Sequence, residues 1–168
     1  GVPDGVLNVV TGGPAVGQAL SNHDGVDKIS FTGSTEVGRE IVRASAGNMK
    51  RVSLELGGKA PTVILDDADL DAAVGGNLQG AFLNAGQVCT SAERFYVMED
   101  VYDRYLEAIV DYTGGLVVGD PTDSNTDIGP MVSASQRQKV VDQVEAAVSA
   151  GAEVVLGGGN GGHERGHF

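Results

Sequence analysis

Short runs of β-branched and apolar residues alternate along this chain with stretches whose apolar residues recur every three or four positions, and that alternation leaves few folds open. Residues 7–10, 28–31, 51–56, 62–65, 94–98 and 153–156 have strand character. Between them, residues 34–46 place Val37, Ile41 and Ala44 on one helical face, and residues 69–84 do the same with Leu70, Val74, Leu78, Ala81 and Phe82. Residues 135–150 repeat the pattern with Val140, Val141, Val144, Ala147 and Val148. Capping residues sit where such helices would begin, at Ser34, at Asp67 or Asp69, and at Ser133 or Ser135, while Gly47, Gly86 and Gly151 stand where they would end. Strand, helix and strand in repetition predict an α/β fold with a parallel sheet.

The Gly-rich run 157–162 predicts a loop with no closing element after it. Because the chain also starts at Gly1 rather than at Met, its 168 residues are expected to be a slice of a longer protein. Length and a 41% hydrophobic content suffice for one core. A formal net charge of −12, from 23 acidic residues against 11 basic ones, argues against nucleic acid or an anionic membrane as partner. Asp outnumbers Glu and Lys is scarce, a balance that resembles proteins of salt-loving organisms. No apolar run approaches the ~18 residues that span a bilayer, and no basic leader or long apolar segment marks an export signal. A single cysteine forms no internal disulfide, which fits a reducing, cytoplasmic compartment.

That cysteine, Cys89, lies in Asn84-Ala85-Gly86-Gln87-Val88-Cys89-Thr90-Ser91, in a predicted loop between a helix and a strand. Its uses reduce to core packing, metal ligation or attack on an electrophile. Metal ligation would require His23, His163 or His167 to converge on it, and no metal site is expected. Glu55 lies 34 residues upstream, in Leu54-Glu55-Leu56-Gly57-Gly58-Lys59, at the C-terminal end of a strand that the alternation of Val52, Leu54 and Leu56 predicts to be mostly buried. In open α/β sheets that end is where ligands bind, and an apolar setting would make the carboxylate a better base. An ion pair with a nearby Lys or Arg accounts for Glu55 equally well.

Lys28-Ile29-Ser30-Phe31 followed by Thr32-Gly33-Ser34-Thr35-Glu36-Val37-Gly38 reads as strand, tight turn and helix start, which presents backbone N–H groups and the positive end of a helix dipole to an anion. Gly33 lets the backbone come close, Ser34 can cap or donate, and Gly38 is expected to keep the first helical turn bare. An ordinary strand-to-helix turn has the same pattern, and the spacing is not G-x-G-x-x-G. Nor is Gly57-Gly58-Lys59 a P-loop: Ser53 stands where its leading Gly would be, and Ala60 follows the Lys. On residue types alone, a nucleotide-independent cysteine hydrolase or acyltransferase and a noncatalytic anion-binding module both remain open, although the first lacks an evident activating His.

Taken together and in this order, Phe31 to Gly38, Leu54 to Pro61 and Asn84 to Ser91 resemble the NAD(P)-dependent aldehyde dehydrogenase superfamily, over essentially the whole chain. The resemblance implies part of an aldehyde dehydrogenase-like parallel-sheet fold, with residues 1–57 the C-terminal part of the NAD(P)-binding domain and residues 58–168 the N-terminal part of the catalytic domain. It implies Cys89 as nucleophile and Glu55 as general base, and contacts to NAD or NADP from Gly33, Ser34, Val37, Gly38, Leu56 and Gly57. The implied reaction oxidises a small-molecule aldehyde to a carboxylic acid through a thiohemiacetal and a thioester. Glu55 argues for hydrolysis over transfer to coenzyme A, since members of the acylating branch usually lack that residue. The run from Cys89 to Val97 looks like the version found in lactaldehyde, glycolaldehyde and related hydroxyaldehyde dehydrogenases. Members of the family also imply a homo-dimeric or homo-tetrameric parent. Its oxyanion-holding Asn and its ribose contacts are expected outside residues 1–168, so the isolated chain is expected to bind cofactor poorly and to turn over little or no aldehyde.

Overall fold

The computed structural model describes residues 1–159, 162–163 and 165–168. Residues 160 and 161 of the loop expected over 157–162 lie outside them. The chain divides into two compact units, Gly1–Gly57 and Gly58–Phe168.

In the first unit, α1 (Pro14–Asn22) is followed by β1 (Lys28–Gly33), α2 (Thr35–Ser45) and β2 (Arg51–Leu56). Pro14 starts α1 at a position where its missing N–H costs nothing. β1 and β2 pair in parallel, in a register that sets Thr32 beside Glu55 and Gly33 beside Leu56. The parallel pairing and the βαβ connection are those the sequence pattern predicts. Ser34 caps α2, its hydroxyl accepting from the Val37 N–H at 3.3 Å. On the face of α2 that packs inward, Ile41 and Gly38 are buried. The Lys50 side chain, 6% exposed, donates to the Ser21 carbonyl at 2.7 Å and the His23 carbonyl at 2.9 Å. An ammonium at the C-terminal end of α1 satisfies carbonyls that the helix leaves open and meets the negative end of its dipole.

In the second unit, β3 (Ala60–Ile64), α3 (Leu70–Phe82) and β4 (Ala92–Val97) form another parallel βαβ, followed by α4 (Glu99–Gly114) and α5 (Ala134–Ser149). Pro61 cannot donate to the ladder, and the register shifts beside it: Ala60 faces Ala92 but Pro61 faces Arg94. Glu93 is the extra residue, and it pairs with Lys59. The core gathers Ile64 of β3, Val74 and Leu78 of α3, and Val101 and Tyr105 of α4, with Phe82, Phe95 and Val97 packed on it. Each such side chain contributes roughly 1.5–3 kcal/mol by leaving water. Asp69, rather than Asp67, caps α3, and Ser133, rather than Ser135, caps α5. Among the described residues no helix is long and apolar enough to cross a membrane.

Several expectations need correction. Residues 7–10 and 153–156 are not strands: among the described residues they pair with no neighbour, and Leu7 is left 78% exposed. β2 is not mostly buried, because it pairs on one edge only and its first three residues are exposed. The helices α1 and α4 are not among those expected. The first is short and flanked by glycines; the second opens on Glu99 and Asp100, which favour a helix N-terminus, and places Val101, Tyr105 and Ala108 at helical spacing. The apolar stripe of α5 forms as expected, but among the described residues it is covered only in part: Val141 is half-buried, and Val140, Val144 and Val148 are exposed.

Candidate active site

The C-terminal ends of β1 and β2 lie side by side, and five of the six residues expected to touch a cofactor surround them in the first unit. Gly33 ends β1 opposite Leu56, Ser34 and Val37 occupy the first turn of α2, and Gly57 follows β2. Gly33, Ser34, Val37 and Gly57 are exposed. A side chain at Gly57 would meet nothing within 4 Å, so the backbone there is open to close approach. The sixth residue, Gly38, is placed differently from the expectation of a bare helical turn. It is buried, and a Cβ on it would stand 2.9 Å from Cδ2 of Leu56. Its missing side chain lets α2 settle onto β2, and Leu56 covers the surface that was expected to be open.

Glu55 extends from β2 between Leu54 and Leu56, beside Thr32 of β1. It is exposed, so the apolar surroundings expected from its sequence neighbours are not built around it. Within the described residues the ion pair found is Lys59 with Glu93, which leaves Lys59 as a structural charge before β3.

In the second unit, α3 gives way to a turn, Leu83–Gly86, in which Asn84 (φ 54°), Ala85 (φ 56°) and Gly86 (φ 73°) are all left-handed. Two of these carry a Cβ, and that conformation costs roughly 1–2 kcal/mol for each. Such backbone persists only where the surroundings impose it. Ser91, 2% exposed, supplies part of the constraint: its hydroxyl donates to the Gly86 carbonyl at 3.1 Å and its N–H to the Val88 carbonyl at 3.1 Å. Gln87 supplies more. Its Nε2 donates to the Asn84 carbonyl at 3.0 Å, and the Asn84 amide donates back to the Gln87 carbonyl at 3.3 Å.

Cys89 and Thr90 project from this held frame as an exposed tip. A thiol at an exposed tip on a fixed loop is accessible to an electrophile, which a core cysteine is not. Within the second unit, the Cys89 carbonyl oxygen lies 3.8 Å from where a Cβ on Gly58 would be. Gln87 and Ser91 were legible only as members of the motif around Cys89; nothing in the sequence distinguishes a side chain that holds a turn from one that faces solvent.

Residues 1–168 match the aldehyde dehydrogenase family throughout, and the chain belongs to that family. It is 45% identical over 159 residues to a betaine aldehyde dehydrogenase of Rhizobium johnstonii, covering 95% of this chain and 33% of that protein. Identity is 48% over 167 residues to the NADP(+) succinate-semialdehyde dehydrogenase GabD of Escherichia coli, covering 99% and 34%. Among solved structures, an NADP-dependent enzyme of Escherichia coli superposes with a TM-score of 0.92 at 48% identity, over 99% of this chain and 34% of that one. The NAD+ complex of an aldehyde dehydrogenase from Bacillus cereus gives 0.89 at 40% identity, over 93% and 32%. The chain thus spans about a third of the length of the curated relatives it matches.

Proposed function

We propose that the full-length enzyme containing this chain oxidises an aldehyde to a carboxylic acid, with Cys89 as nucleophile and Glu55 as general base. The observation that carries this reading is the exposed Cys89 thiol at the tip of a turn whose backbone is otherwise tied down. Relatives named for betaine aldehyde and for succinate semialdehyde share the family, so the proposal is for the aldehyde group and not for one substituent.

The Cys89 thiolate adds to the aldehyde carbon, a C–S bond forms, and the carbonyl π electrons move to oxygen. The Cys89 N–H is placed in sequence to hold part of that oxyanion. NAD or NADP supplies the acceptor for the hydride that leaves carbon as the C=O bond re-forms and a thioester results. Glu55 then takes a proton from water, whose oxygen attacks the acyl carbon. The C–S bond breaks, the electron pair returns to sulfur as the thiolate, and the acid departs.

The residues at the ends of β1 and β2 fit a dinucleotide. Gly57 offers open backbone, Gly33 is exposed with the Phe31 ring filling the space a Cβ would take, and the first turn of α2 presents N–H groups and a positive dipole end to a pyrophosphate. Ser34, Val37 and Leu56 would flank it, with Gly38 supporting Leu56 from beneath. Residues 1–57 on this reading are the later part of the NAD(P)-binding domain and residues 58–168 the start of the catalytic domain, a division supported by the two compact units. The parent is read as a cytoplasmic homo-dimer or homo-tetramer acting on small molecules, not on nucleic acid or membrane, in keeping with one thiol and a charge of −12.

The test is reduced-cofactor formation by the full-length enzyme. Cys89→Ala is expected to abolish it. Glu55→Gln is expected to release about one equivalent per site and then stall at the thioester, since only the hydrolytic half-reaction needs the base. Unaltered steady-state rates in both variants would refute the assignment.

A further inference from the structure

The side chain of Gln87 makes one hydrogen bond that the local turn does not need. Its Nε2 holds the turn through the Asn84 carbonyl, but its Oε1 accepts from the N–H of Val132 at 3.0 Å, 45 residues further along the chain. Val132 immediately precedes Ser133, the N-cap of α5, and follows Met131, whose N–H donates to the His167 carbonyl at 2.9 Å. One amide therefore joins the left-handed turn before Cys89 to the segment that leads into α5. Ser91 fixes the other side of the tip through Gly86.

The placement is specific to an amide. The acceptor oxygen meets an N–H and the donor nitrogen meets a carbonyl, so a carboxylate keeps one bond and loses the other, and an aliphatic side chain loses both. Because Asn84 and Ala85 are in a conformation that residues with a Cβ adopt only under constraint, the turn relaxes where constraints are cut.

We infer that Gln87 is a positioning residue for Cys89: by tying the strained turn at Asn84 to the backbone at Val132, it sets the direction from which the thiolate meets the aldehyde carbon. This rests on Cys89 being the nucleophile, and the experiment separates the two. In the full-length enzyme, Gln87→Leu and Gln87→Glu are compared with the native protein after the soluble fraction that melts as native has been isolated, with turnover expressed per Cys89 thiol titrated by iodoacetamide in that fraction, so that misfolded molecules are removed before thiols are counted. A misplacement of about 1 Å costs on the order of 100-fold in rate. Gln87→Leu is expected to lose roughly that in kcat per thiol, and Gln87→Glu roughly tenfold through its retained acceptor, with cofactor KM and iodoacetamide rate within about threefold of native in both.

A residue serving stability alone would lower the number of titratable thiols and leave kcat per thiol unchanged. Turnover per thiol within twofold of native in Gln87→Leu overturns the proposal, as do equal losses in the Leu and Glu variants. Should the Leu variant fail to fold, unchanged turnover per thiol in Gln87→Glu overturns it instead. If Cys89→Ala itself stays active, it is the nucleophile assignment that fails.

Discussion

At the scale of single residues, polar groups in this chain are placed by what they bond to and not by exposure alone. Lys50 is buried because two carbonyls at the end of α1 receive its ammonium, and Tyr105, 3% exposed, sits 6.4 Å from the Phe95 ring with its hydroxyl accepting from the Asn77 amide at 2.9 Å. Burial raises the Tyr105 phenol above its usual value, and the Asn77 hydrogen bond, which favours the phenolate, offsets this only in part. The folded protein therefore holds that proton to higher pH than the unfolded chain does. The stability this lends is fully present below the ordinary tyrosine pKa of about 10 and is lost as pH rises through the higher folded value. Tyr105→Phe is accordingly expected to cost about 1 kcal/mol near neutrality through the lost hydrogen bond, yet to lose less stability than native between about pH 8 and pH 10.5. Melting midpoints of the full-length enzyme at the two pH values check this, and an equal drop in both proteins would count against it.

At the scale of elements, helix starts are the most sequence-legible features, since a cap is one side chain reaching three residues along its own chain. Ser34, Asp69 and Ser133 each accept from the N–H three residues on. Ser34→Ala and Asp69→Ala are each expected to cost about 1 kcal/mol of stability. Only Ser34→Ala should also raise cofactor KM, because α2 begins at the proposed pyrophosphate site and α3 does not. Matching KM changes in the two variants would remove Ser34 from that site. Strand pairing is less legible. Residues 7–10 and 51–56 both have strand character in sequence, yet only the second forms a ladder, because a strand exists through its neighbour and composition does not name one. The same holds for α5: periodicity marks its apolar stripe, but whether anything covers that stripe is a property of the surroundings.

At the scale of the whole molecule, a charge of −12 on 168 residues sets a uniform repulsion that packing must overcome. Salt largely screens exposed charges that lie farther apart than about 10 Å at 0.1 M and farther apart than about 3 Å at 1 M, so the melting midpoint and activity of the full-length enzyme are expected to rise from low to molar salt. A flat or falling response would dispose of the salt-adapted reading of the composition. The α/β class, the caps and the motifs around Glu55 and Cys89 follow from the sequence by itself, because each depends on residues a few positions apart whose geometry the backbone dictates. What tertiary structure alone decided was contact between residues distant in sequence: Leu56 covering Gly38, Lys50 closing α1, the Lys59–Glu93 pair at the Pro61 bulge, and Gln87 reaching Val132. Such contacts depend on how packed elements converge, and neither periodicity nor spacing carries that information.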